Sequence, residues 1–417
     1  MHFSMYAMAN NRSVQTFKSG WKFTRTDDVA ASGVDYDDRK WESVSVPHDW
    51  AIYGPFDANN DRQQVAIEQD GQKEAMSHAG RTGGLPFVGP GWYRLEFESP
   101  EFVDGRRATL LFDGAMSHAR VWLNGHEVGY WPYGYNSFYF DVTPYMEIGK
   151  TNTLAVRLEN YEESSRWYPG AGLYRNVHLV VTDEVAVKMW GTYITTPVVR
   201  NDFAKVNVKV EFDMPSGMKP ETISVSTNIY APDGTVVASG VGRLTKFDGC
   251  VKDLQMVVQN PKLWSPETPH LYKAVTKVMK GNDTTDVYET TFGIRSLEIV
   301  PDKGFFLNGE RIVFKGTCNH HDNGPLGAVV NTTAVRRKVR MLKDMGSNAY
   351  RTSHNMPEPE LVEACNEMGM MVMAESFDEW KRAKVKNGYN RDFKAWIEKD
   401  IVNLVRRYRN DPSVVMW

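Results

Sequence analysis

At 417 residues, with 41% hydrophobic and 24% charged residues and a net charge of -3, the chain has the composition of a soluble globular protein of about three domains. That charge balance offers no basic face for nucleic acid, and no apolar run approaches the roughly 18 residues of a membrane span. Cys250, Cys318 and Cys365 are an odd set with no CxxC, which argues against a disulfide framework or a zinc knuckle.

The opening, "MHFSMYAMANNRSVQ", lacks the basic region and apolar core of a secretion signal. The compartment stays open: periplasmic or secreted if a leader has been removed, cytoplasmic otherwise. Up to about Val181 the chain is written in short runs of period two, such as "GWYRLEFES", "ARVWLNGHEVG" and "NTLAVRLEN". Asn124-Gly125 marks a tight hairpin, because both residues tolerate positive φ. Residues 1–181 therefore read as an antiparallel jelly-roll sandwich. Residues 182–295 continue with strands at turn-bounded intervals, which suits an immunoglobulin-like sandwich.

Over residues 296–417 the grammar changes. "RIVFKG" reads as a short buried strand. "TTAVRRKVRMLKDMG" reads as a helix with Thr caps and a terminal Gly. Strand "NAYRT", helix "PEPELVEACNEMG", strand "MMVMAES", helix "RDFKAWIEKDIVNLVRRYRND" and strand "VVMW" follow. Alternation of this kind predicts parallel strands joined by crossover helices, in either a doubly wound sheet or a (β/α)8 barrel.

The chemistry gathers after the strands. "CNHHDNG", "RTSHN" and "ESFDEW" follow the first three, which is where a barrel places its active site. His320, His321 and Asp322 could be read as metal ligands, but adjacent residues on an extended segment point to opposite sides, and there is no HxxxH or HExxH. The better reading makes His320 a hydrogen-bonding site residue and His321 structural, with no metal and no required cofactor. Arg351, Ser353, His354 and Asn355 offer a cation and several donors, either to substrate or, for Arg351, to a brace on Glu375. Glu375, Asp378 and Glu379 lie within five positions on one loop, too close to flank a scissile bond from opposite sides, so they read as substrate-positioning groups. Trp92, Trp122, Trp131 and Trp167 alternate with polar residues as core strands do. The turn carrying Arg166 and Trp167 is the segment expected to reach the barrel mouth.

Longer motifs carry a resemblance. "VSVPHDWAI", "VWLNGHEVGYWPYGYNSFYFDVT", "SRWYPGAGLYRNVHL", "PKLWSPETPHLY", "FFLNGERIVFKGTCNHHDNGPLG" and "MLKDMGSNAYRTSHNMPEPELVEACNEMGMMVMAESFDEW" run in the order found in glycoside hydrolase family 2. The chain resembles the N-terminal portion of that β-galactosidase, β-glucuronidase and β-mannosidase group, with "SRWYPGAGLYR" leaning toward β-galactosidase-like members. The resemblance implies a sugar-binding-type jelly roll, an immunoglobulin-like sandwich and the first half of a (β/α)8 TIM barrel, cut at strand four. It implies a retaining hydrolase of terminal β-glycosides, acting on a carbohydrate and on neither nucleic acid nor membrane.

In the family, the strand ending in Met-Trp continues into Ser-x-Gly-Asn-Glu, whose Glu is the general acid/base, and the nucleophile Glu lies later still. Both would fall beyond Trp417, so the chain is expected to be truncated and inactive alone. The open edge of the half-barrel would be covered by the missing remainder or by self-association. Substrate contacts carried over are His320, Arg351, His354, Asn355, Asp378 and Trp380, the last as part of the wall; Arg166 and Trp167 are further contacts at the mouth. Ala374 stands where the family usually has Asp before Glu375, which alters how the barrel floor is braced. The alternative is a non-catalytic carbohydrate-binding or structural β protein.

Overall fold

The computed structural model describes residues 12–61, 63–65, 76–78, 86–100, 105–246, 248 and 250–417. The first region is a two-layered antiparallel sandwich. Its six-stranded sheet runs Glu42–Val44, Trp21–Thr24, Gly89–Glu98, Thr151–Asn160, Ala119–Leu123, His126–Trp131 in spatial order. The facing sheet has four strands: Ser13–Thr16, Val177–Thr182, Arg107–Phe112 and Phe138–Asp141. Alternation along each strand sends one set of side chains into the space between the sheets. There Trp21, Leu110, Phe112, Val121, Leu154, Val156 and Leu158 are buried. Asn124 and Gly125 adopt φ of 51° and 78° and close the hairpin between Ala119–Leu123 and His126–Trp131, as the Asn-Gly pair requires. Trp92, Trp122 and Trp131 are buried as core residues.

The second region packs a three-stranded sheet (Ala186–Val199, Phe203–Asp213, Val251–Gln259) on a four-stranded one (Val236–Arg243, Ile223–Tyr230, Tyr272–Lys280, Asp283–Phe292). It has an apolar core of its own around Val206, Val208, Phe212, Val225 and Ile229. All strand pairs in both sandwiches are antiparallel.

The expected first barrel strand falls elsewhere. Glu310–Ile312, which takes in only the first two residues of "RIVFKG", pairs antiparallel with Gly304–Leu307 in a small three-stranded sheet. The parallel sheet begins four residues later, at β1 (Gly316–Asn319), and continues with β2 (Ala349–Thr352), β3 (Met371–Met373) and β4 (Val414–Met416). β1 reads "GTCN", too polar to announce itself as a buried strand. Helices α1 (Thr332–Asp344), α2 (Pro359–Met368) and α3 (Asn390–Tyr408) cross between successive strands. α1 is capped by Asn331, whose side chain accepts from the Ala334 N–H, and not by the threonines. Gly369, at φ 71°, closes α2 in the left-handed conformation, where a β-carbon would be strained.

The barrel strands and the jelly roll share one continuous core. Val335, Leu361, Val362, Phe393 and Leu404 from the three helices belong to the same buried cluster as the jelly-roll residues. Polar groups fix the register of that contact. Arg175 is fully buried and donates to the carbonyls of Tyr135 (2.7 Å), Met356 (3.1 Å) and Pro357 (3.2 Å). Asp400 on α3 accepts from Trp131 Nε1 (2.9 Å), Asn136 Nδ2 (2.7 Å) and the Tyr389 hydroxyl, while burial pushes its carboxyl up to about 6. No helix among the described residues is long and apolar enough to cross a membrane.

Candidate active site

β1, β2 and β3 are parallel, so the loops after them emerge at one end of the sheet. The loop after β2 is anchored from below by Arg175, through the carbonyls of Met356 and Pro357. The loop after β1 is anchored from the jelly roll. His321 Nε2 lies 2.9 Å from the Pro169 carbonyl, and its ring packs edge-on to Tyr135 and Tyr174. Burial, with a smaller push from Arg175, drives the His321 imidazole down to about 3, so it is neutral and structural. His320 has different neighbours, Trp167 and His354.

Asp49 makes the second anchor, and the sequence reading missed it. This buried carboxylate accepts from the backbone N–H of Ala51 (3.0 Å), Ala171 (3.0 Å) and Ala328 (2.8 Å), and from the Tyr168 hydroxyl (2.6 Å). Three segments distant in sequence converge on one side chain. Gly170 and Gly327 permit it: a β-carbon on Gly327 would sit 2.4 Å from the Asp49 carboxylate, and one on Gly170 2.3 Å from the Ala328 methyl.

The mouth itself is built from both domains. Trp167, 9% exposed, donates Nε1 to the Tyr135 hydroxyl and lies 4.7 Å from the His320 ring and 5.8 Å from His354. His320 Nδ1 is buried without a hydrogen-bond partner among the described residues. Burial and the neighbouring His354 hold its imidazole below the ordinary range, so it stands neutral at pH 7 with an unclaimed ring nitrogen. Glu375 is clamped: Arg351 Nε donates to one oxygen, and His354 Nδ1 lies 2.9 Å from the other. Its backbone N–H donates to Thr352 Oγ1 at 2.9 Å. Arg351 thus makes the brace anticipated as one of its two readings, and it also reaches Cys318 Sγ at 3.3 Å.

Asp378 receives both Arg166, through two N–H donors, and Lys384 Nζ at 2.9 Å. Burial raises the carboxyl, but these hydrogen bonds outweigh it and hold it below its ordinary range, so Asp378 is ionised. Arg166 therefore does reach the mouth and joins the jelly roll to the loop after β3. A cleft opens between Trp167, Tyr133, Tyr135, His354, Asp378 and Tyr389. The tyrosines were not anticipated; "WPYGYNS" carries them in a stretch without clean alternation.

Three residues sit differently from expectation. Asn355 is only 3% exposed and lies beneath the mouth, its carbonyl accepting from Thr352 Oγ1 at 3.0 Å and its amide nitrogen without a partner among the described residues. Trp380 does not form the cleft wall; it stands 56% exposed on the rim, its ring 5.8 Å from Phe393. Glu379 lines the cleft, but its carboxylate is engaged by its own loop. Buried, it accepts from the N–H of Lys384 (2.6 Å), Val385 (2.7 Å) and Asn390 (3.3 Å).

Comparison with known proteins agrees along nearly the whole chain. Three descriptions of glycosyl hydrolases family 2 match in succession: the sugar binding domain over residues 15–183, the family domain over residues 187–295, and the TIM barrel domain over residues 299–417. The chain is 38% identical over 417 residues to the beta-galactosidase BoGH2A of Bacteroides ovatus, covering 99% of this chain and 47% of that protein. It is 34% identical to a putative beta-glucuronidase of Formosa agariphila, covering 99% and 38% respectively. Among solved structures, a family 2 member from Bacteroides cellulosilyticus superposes with a TM-score of 0.88 at 33% identity, covering 97% of this chain and 51% of that one. A beta-glycosidase from Bacteroides vulgatus gives 0.85 at 31%, covering 97% and 50%. The chain spans about half the length of the relatives it matches.

Proposed function

Because the chain belongs to glycosyl hydrolase family 2, we propose that it supplies the sugar-holding half of a site for terminal β-glycosides, of the β-galactosidase kind. The observation that carries this is a cleft lined from two domains by Trp167, His354 and Asp378, each held by a neighbour outside the lining: Arg166 pairs with Asp378, His320 packs on Trp167 and His354, and Glu375 binds His354. Each group has a role suited to a neutral sugar. Ionised Asp378 has acceptor capacity for ring hydroxyls beyond the bonds it receives from Arg166 and Lys384. His320 packs behind the cleft against Trp167 and His354, at 4.7 and 5.7 Å between ring centroids. Trp167 presents an aromatic face against which the apolar side of a pyranose can pack.

Retaining hydrolysis needs two carboxyl groups about 5–5.5 Å apart, one to protonate the leaving oxygen and one to attack. The carboxylates at this mouth are otherwise engaged. Glu375 is held by Arg351 and His354, Asp378 by Arg166 and Lys384, and Glu379 by backbone amides. Asp378 is held below its ordinary range by those partners, which suits an acceptor and not a proton donor. In this reading the 417-residue chain binds and orients the sugar, and the acid/base and nucleophile come from outside its residues.

The test is a paired assay on the chain: equilibrium binding of a β-galactoside, and release of p-nitrophenol from its p-nitrophenyl form. Saturable binding abolished by Asp378→Ala, without turnover, supports the reading. Turnover by the chain would contradict the assignment of roles. Absence of binding would favour a β protein with no glycan site.

A further inference from the structure

The loop after β3 has a charge pattern that the binding of a neutral terminal sugar does not use. Between Asp378 and Arg391 it carries Lys381, Arg382, Lys384, Lys386 and Arg391 against the two carboxylates of Asp378 and Glu379, in a chain whose net charge is -3. Three of the five cations are occupied. Lys384 binds Asp378, Lys386 pairs with Glu163 at 3.2 Å, and Arg391 donates to Asn387 Oδ1. Lys381 and Arg382 are exposed and have no partner among the described residues.

Their position is set from within. Glu379, buried beneath the loop, collects the amides of Lys384, Val385 and Asn390, which ties the turn down on both sides of its tip. Gly388 makes room for that carboxylate, since a β-carbon there would lie 1.8 Å from Glu379 Oε2. What projects is the tip, Trp380-Lys381-Arg382. The Trp380 ring rests on Phe377 and Phe393 and keeps 56% of its surface exposed. Val385, Gly388 and Tyr389 of the same loop line the cleft, whereas residues 380–384 stand outside it. An exposed ring on an aromatic shelf, followed by two unpaired cations, stands next to the cleft without being part of it.

Resting on the glycosidase reading above, we propose that Trp380, Lys381 and Arg382 form a subsite for the sugar adjoining the terminal one, and that they select an oxyanion on that sugar. Trp380 would stack on the ring, and Lys381 and Arg382 would pair with a sulfate ester or carboxylate. The favoured substrate class is then a β-galactoside whose neighbouring sugar is sulfated or is a uronic acid.

The experiment titrates the chain, by calorimetry at low salt, with three β-galactosyl disaccharides: a neutral one, one sulfated on the second sugar, and one whose second sugar is a uronate. Dextran sulfate serves as a polyanion control. The expectation is about tenfold tighter binding of at least one anionic disaccharide over the neutral one, a summed effect of two exposed ion pairs. That preference should shrink severalfold in 0.5 M salt, and the ratio should fall to near unity in the Lys381→Ser/Arg382→Ser variant. The two anionic arms tell sulfate from carboxylate. Equal binding of neutral and anionic disaccharides overturns the subsite and leaves the glycosidase reading standing. Dextran sulfate competing as well as the anionic disaccharide marks a generic polyanion surface and also overturns it. If no disaccharide binds, both readings fail together.

Discussion

Replacing Asp49 with alanine should loosen the joint between the jelly roll and the barrel loop that carries His320. Its carboxylate is buried and serves four donors, from Ala51, Ala171, Ala328 and Tyr168. Alanine leaves three backbone N–H groups and a hydroxyl without their acceptor, and a buried orphaned donor costs about 1–3 kcal/mol. Against this stands the relief of desolvating a carboxylate, which pushes Asp49 above its ordinary range. Water entering the vacated space would recover part of the remainder. The net loss expected is about 3 kcal/mol. Asp49→Asn keeps the shape and one acceptor oxygen but turns an NH2 toward the Ala328 N–H, so about half that loss is expected. Because a chain of several domains need not unfold in one step, the assay is native-state hydrogen exchange, read over residues 165–171 and 324–330. Faster exchange in both stretches, with a graded Asn and Ala effect, fits the tether. A loss below about 1 kcal/mol, or faster exchange confined to residues 49–53, would refute it.

Three further outcomes follow from the same geometry. Asp411, fully buried and bonded by Asn366 Nδ2 at 2.5 Å, has its carboxyl pushed up to about 7 by burial. A raised folded-state pKa favours the protonated native state, so this group weakens folding progressively as pH rises from about 4 to its folded value, and Asp411→Asn should gain about 2 kcal/mol relative to the parent between pH 5 and pH 8 in denaturant titrations; a pH-independent difference would contradict this. Gly388→Ala must displace the Glu379 carboxylate, so β-galactoside affinity should fall about tenfold while the far-ultraviolet circular dichroism is unchanged; unaltered affinity would sever the loop from the site. Arg166→Ala removes a part-exposed pair across the domains and should shift stability by no more than about 1 kcal/mol, yet weaken sugar binding about tenfold; the reverse ordering would make the pair purely structural.

What was legible in the sequence was local. Period-two alternation revealed the sandwiches, Asn124-Gly125 its hairpin, and the change of grammar after residue 296 the helices α1 to α3. β1 was misplaced because "GTCN" lacks the apolar run that "RIV" possesses, and only pairing with β2 distinguishes them. Of the candidate residues that follow strands, the structure places His354 and Asp378 on the cleft and His320 beside Trp167 and His354. It was not legible where one polar side chain organises segments far apart in the chain. Asp49 reaches Ala328 across 279 positions, and Trp131 reaches Asp400 across 269, and no periodicity records such contacts. Glu379 is a related case: it lines the cleft and also binds the amides of its own loop, and the local sequence records only that a carboxylate is there.

The most direct test of the site is a crystal structure of the chain soaked with a β-galactoside. The sugar should lie in the cleft against Trp167, with a hydroxyl on Asp378 and another within hydrogen-bond distance of His320, and Asp378→Ala crystals should show none. A sugar bound elsewhere, on the outer face of the jelly roll for example, with the cleft unchanged, would contradict the assignment.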